Sequence, residues 1–149
     1  MKLLRILKRL KNPRDLWLFL RILTLLILLP GQIKRKSLPE LLGQLDPGVA
    51  AGPRDEALVE KTAGFIDSLL NYRVFRRYGR CLLRTLTLFK FLRGQGWPVE
   101  IHFGVRKTGE DHTAGEPGIT GHSWLVLDGE PFLEDESQKG IFTTTYHYG

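Results

Sequence analysis

The chain holds one cysteine, Cys81, between a cationic segment, YRVFRRYGR, and a leucine-rich one, CLLRTLTLFKFLRGQG, closed by Gly94 and Gly96. That pattern starts a helix at the thiol. Backbone N–H groups without partners and the helix macrodipole both favour negative charge there. Arg76, Arg77 and Arg80 act in the same direction. The thiolate is the nucleophilic form of cysteine, so the position suits covalent catalysis. The plain alternative is a small core residue, since an unreactive cysteine is often buried.

A cysteine nucleophile needs an imidazole to take its proton and a third group to orient that imidazole. Four histidines are present. His102 falls on the polar face of an alternating segment, which points it to solvent. His112 lies in a glycine-rich loop, and His147 lies near the end of the sequence. His122 opens a strand beside Gly121, with Trp124 on the same face, and a strand can hold a ring rigidly. It is the best candidate base. The acid follows from hairpin parity, because directly opposed residues share a face. A two-residue Asp128-Gly129 turn sets Asp135 opposite His122, whereas a three-residue loop sets Glu134 there. The turn sequence alone leaves both open.

These residues need a helix and an antiparallel sheet to position them. MKLLRILKRLKN reads as a basic amphipathic helix with Leu3, Leu4, Leu7 and Leu10 on its apolar side. After Pro13, Leu16 to Leu29 is apolar except for Arg21 and Thr24. Fourteen residues fall short of the roughly 20 needed to cross a bilayer. This stretch is therefore expected to pack into the domain, or to lie at a membrane surface or against a partner. SLPELLGQLDPG reads as a short helix with Ser37 as N-cap, and RDEALVEKTAGFIDSLLNY as a longer one burying Leu58, Phe65, Ile66, Leu69 and Leu70. The helix from Cys81 is apolar around most of its circumference, which makes it central. From residue 98 the period changes to two: PVEIHFGVRK is a strand, GHSWLVLDGEPFLE a hairpin, and GIFTTTYHYG holds a further short strand. Helices followed by an antiparallel meander give an α+β fold, with the cysteine helix expected to pack on a small sheet.

The 149 residues accommodate one domain with an appendage, and 42% hydrophobic content supplies a core. Charge is uneven. Residues 1–36 carry ten Lys or Arg against Asp15 alone, and the remainder carries twelve basic against fifteen acidic residues. The basicity thus belongs to an arm, 1–36, and not to the domain, 37–149, with its helical part at 37–96 and its sheet part at 97–149. Nucleic-acid binding is not expected, because no recognition motif backs the arm. One cysteine makes neither an intramolecular disulfide nor a cysteine-based zinc site, and a reducing cytoplasmic setting is the default. No cofactor or metal is called for.

Cysteine at a core-helix start, followed by histidine and an acid on adjacent strands, resembles the transglutaminase-like and papain-like cysteine enzymes. CLLRTLTLFKFLRGQG, FGVRK and GHSWLVLDGEPFLE together resemble the lasso-peptide leader peptidases, the stand-alone protease half of the B protein, over residues 72–141. That resemblance implies Cys81 as nucleophile, His122 as general base and Glu134 as orienting acid, a position where the family frequently has aspartate. Arg84 matches a recurrent arginine with a structural salt bridge as its expected role, and Trp124 either walls the site or packs. The implied substrate is the leader region of a ribosomally made precursor. It also implies leader recognition by a small winged-helix-like domain, fused or separate, and an ATP-dependent ring-forming cyclase acting next. Residues 1–71 read as leucine-rich helix without the strands of such a domain, so a separate recognition protein is the expected partner, with the apolar surface around Trp17, Phe19 and Ile22 as a candidate docking region. The same three residues would also serve acyl transfer to an amine. A non-catalytic adaptor using the basic arm at a membrane surface or on a partner is the third reading.

Overall fold

The computed structural model describes residues 4, 6, 8, 10–107, 119–134 and 142–149, of which 106, 107, 119 and 120 through their backbone alone. Among these the fold is α+β, with five helices followed by a four-stranded antiparallel sheet. Two compact units divide the chain, Met1–Trp97 and Pro98–Gly149.

In the first unit, α1 runs Pro13–Arg35, α2 Leu38–Leu45, α3 Glu56–Leu70, α4 Arg73–Arg76 and α5 Arg80–Gly94. Helix α1 is longer than its apolar run. It continues through Pro30 to Arg35, where the Lys36 N–H donates to the Gln32 carbonyl at 3.0 Å. Proline removes one backbone donor and disturbs one turn, but the rest of the ladder survives. Twenty-three residues rise about 34 Å, bilayer length, and an 18-residue window of α1 has a mean hydropathy of 2.0. By length and composition α1 could therefore cross a membrane, contrary to the fourteen-residue estimate.

One face of α1 packs against α3 and α5. Ile22, Leu26 and Leu29 are fully enclosed, each contributing about 1.5–3 kcal/mol of burial. Residues 1–36 thus supply a helix to this unit. Before α1, Ile6 is buried and Leu4 exposed, the reverse of the expected stripe; Leu3 and Leu7 lie outside the described residues.

Helix α3 begins at Asp55, whose carboxylate accepts from the Leu58 N–H at 3.2 Å. It buries Val59 in place of the expected Leu58, together with Phe65, Ile66, Leu69 and Leu70. Ser37 caps α2 by position without a side-chain bond. At the other end of α2, Asp46 accepts from Arg93 Nε and from the Gly48 N–H, both at 2.8 Å, tying α2 to the end of α5. Helix α5 buries Leu83, Leu86, Leu88, Phe89, Phe91 and Leu92. Its Thr85 and Thr87 are buried too, their hydroxyls returned to the Cys81 and Leu83 carbonyls at 2.9 and 2.7 Å.

In the second unit, β1 is Glu100–Lys107, β2 Ile119–Leu127, β3 Glu130–Phe132 and β4 Thr143–Tyr148, in the order β3-β2-β1-β4. Ile101 pairs with Leu125, and both are buried. By the two-residue period, His102, Gly104, His122 and Trp124 share the opposite face, with Gly104 paired to His122 and His102 to Trp124. Between Phe103 and Gly104 the β1–β4 register shifts, and the extra residue, Thr145, donates its hydroxyl to the Phe103 carbonyl at 3.2 Å.

Candidate functional site

Cys81 is the second residue of α5, whose N-cap is Gly79 at φ 79°, ψ 91°. A side chain has open space at Gly79, so glycine is required there by backbone conformation alone. The first helical bond runs from the Leu83 N–H to the Gly79 carbonyl at 3.2 Å, which leaves the Cys81 N–H ahead of the ladder. The thiol is half-buried. One turn on, Arg84 donates through Nε to Asp67 Oδ1 at 2.7 Å, with a longer second contact to Oδ2 at 3.4 Å. This ion pair ties α5 to α3. Both partners are partly exposed, so it contributes about 1 kcal/mol or less.

In the sheet unit, His122 Nε2 lies 3.1 Å from Glu134 Oε2, and both side chains are largely buried. The route to this contact differs from simple parity. Asp128 and Gly129, at φ 53° and 84°, form a two-residue turn with Leu127 paired to Glu130. An uninterrupted ladder would set Asp135 opposite His122. Instead β3 ends at Phe132, and Leu133 adopts φ 56°. That left-handed residue breaks the alternation and delivers Glu134 to the imidazole. Asp135 lies outside the described residues.

The imidazole also stacks on two aromatic rings. Trp124 lies 5.9 Å away at 17° and Phe142 4.7 Å away at 29°. Gly104 makes room for the indole: a Cβ there would stand 2.6 Å from the Trp124 ring and 2.6 Å from the Thr143 carbonyl. Phe142 was not among the candidate residues, because its contact depends on β4 joining β1 on the side away from β2. No spacing in the sequence announces that.

Of the other histidines, His102 shares this face and lies 6.0 Å from the Trp124 ring. His102 is not a solvated strand residue: it lies 3.1 Å from Glu100 Oε2 and stacks on His147 at 5.3 Å. His112 lies outside the described residues. Among the described residues, no cluster of histidine, cysteine and carboxylates has the grouping of a metal site.

On the apolar surface singled out for docking, Ile22 is core and Phe19 packs edge-on against Phe65 at 5.6 Å. Only Trp17 of the three is exposed, at 66%.

Comparison with curated proteins and with solved structures gave no match. A family model described as the transglutaminase-like superfamily matches residues 25–147, a span running from α1 into β4 and containing Cys81, His122 and Glu134. Over most of its length, then, this chain belongs to the transglutaminase-like superfamily.

Proposed function

We propose that the protein is a cysteine endopeptidase that removes the leader from a ribosomally made lasso-peptide precursor. The superfamily includes cysteine proteases and acyltransferases. One observation carries the catalytic reading: an imidazole on a rigid strand, held by a carboxylate at 3.1 Å and flanked by aromatic rings, in a chain with one cysteine at a helix start.

In this mechanism Glu134 engages Nε2 and fixes the ring, so Nδ1 takes the proton from Cys81 Sγ. The thiolate attacks the scissile carbonyl, and the Cys81 N–H ahead of the α5 ladder helps hold the oxyanion. The imidazolium returns its proton to the departing amine, which leaves as the new amino terminus of the core peptide. Water then attacks the thioester, with His122 again as base, and releases the leader as a carboxylate.

A separate winged-helix-like protein serves in this reading as the leader-recognition partner. The cyclase that follows would consume the freed amine. A reducing cytoplasm suits the thiol.

Mixing the chain with recognition protein and precursor, then weighing the products, tests the proposal. Leader and core should appear with the mass of one water added, and Cys81→Ala should abolish both. Complete cleavage by Cys81→Ala would refute the peptidase. An amine adduct in place of water would indicate acyl transfer by the same residues.

A further inference from the structure

The solvent face of α1 is as apolar as its buried face. Leu16, Trp17, Leu20, Ile27 and Leu28 are each at least 44% exposed, and helical periodicity places them on one side, opposite Ile22, Leu26 and Leu29. Thr24 lies amid them, but its hydroxyl donates to the Leu20 carbonyl of its own helix at 2.8 Å. The face therefore offers no unsatisfied side-chain polar group from that threonine, which makes it compatible with hydrocarbon.

Cations border it. Arg14 and Arg21 lie along one rim and Lys34 along the other, while Lys90 of α5 lines the same surface beside Phe91. Arg21 sits 5.5 Å above the Phe91 ring. Asp15, the single acid of residues 1–36, is buried on the far side and paired with Lys61 at 2.8 Å.

We infer that this face docks, in the plane of the interface, on an anionic lipid surface. Charge complementarity selects the occupant: ten basic residues against one acid in residues 1–36 match a negatively charged bilayer. An exposed indole between the leucines fits the aromatic anchoring typical of a membrane interface. Lying in the plane is favoured over crossing it, although α1 has the length to cross. Its other face fills the helical unit, and a spanning pose would strip Ile22, Leu26 and Leu29 from their core and carry Asp15 into lipid.

The test uses the full chain with vesicles of phosphatidylcholine, alone or mixed with phosphatidylglycerol. Flotation should occur with the anionic vesicles, and Trp17 emission should shift to shorter wavelength, a shift that Trp17→Phe removes. Raising salt from about 0.1 to about 1 M shortens the screening length from roughly 10 to 3 Å, and should weaken binding at least about tenfold. Leu20→Glu with Ile27→Glu should abolish flotation while melting as the parent does. Should that pair fail to fold, Arg21→Gln and Lys90→Gln give the reading, each weakening binding about fivefold. Alkaline carbonate should release the bound chain. Several results would overturn the inference: no flotation, equal binding to neutral vesicles, retention through carbonate, or a lipid-free dimer dispersed by Leu20→Glu.

Discussion

The contact between His122 and Glu134 depends on one backbone choice. Parity along the β2–β3 hairpin is sound reasoning as far as Phe132, and the observed two-residue turn taken alone would select Asp135. Leu133 in the left-handed region ends that logic one residue before the acid. Non-glycine residues adopt that conformation uncommonly, so strand periodicity could not have located the break. The pattern resemblance singled out Glu134 without reference to register. Under the proposed mechanism, Glu134→Gln keeps a hydrogen-bonding group but loses the charge that steadies the imidazolium. We expect kcat to fall by about 10²-fold or more with KM little changed. Retention of parental kcat by Glu134→Gln would remove the acid from the mechanism. Phe142→Ala should lower kcat by a smaller factor while leaving the carboxylate contact in place.

At the scale of elements, the strands were legible because alternation over β1 and β2 is nearly unbroken. Two glycines show what alternation cannot reveal. Gly104 appears in the sequence as one more polar-face residue, yet the Trp124 ring and the Thr143 carbonyl occupy the volume a methyl would need. Gly104→Ala should therefore cost about 1–3 kcal/mol by overpacking and displace Trp124 from His122, visible in near-ultraviolet circular dichroism. Gly79 is the converse, with ample room but a backbone angle that L-residues resist. Gly79→Ala should cost about 1–3 kcal/mol, read from the urea midpoint, and rotate the first turn of α5 beneath Cys81. Helix α1 exceeds the Leu16–Leu29 apolar run because the chain absorbs Pro30 as a local defect and stays helical to Arg35.

For the molecule as a whole, the sequence order of helices before strands gave the α+β class directly. It could not divide α1 into a buried and an exposed face, because both faces are built from the same leucines. The buried side is marked by Asp15. The hydrogen bond from Lys61 holds its carboxyl below the ordinary carboxylate range, with the Lys61 charge and backbone donors adding to the effect against the cost of burial. A depressed folded-state value stabilises above the unfolded value of about 3.9, and that contribution is lost as pH falls through the folded one. Urea midpoints followed from neutral pH into acid should thus drop more steeply for the parent than for Asp15→Asn. Parallel curves would mean that the pair contributes nothing to folding.

The tryptophan lying flat against His122 also makes the protein its own optical probe. Indole emission is quenched by a neighbouring imidazolium and much less by a neutral ring. Fluorescence lost on removing Trp124, followed across a pH titration in a His102→Gln background because His102 also lies 6.0 Å from the indole, would therefore report when the proposed base gains its proton, without substrate, label or turnover.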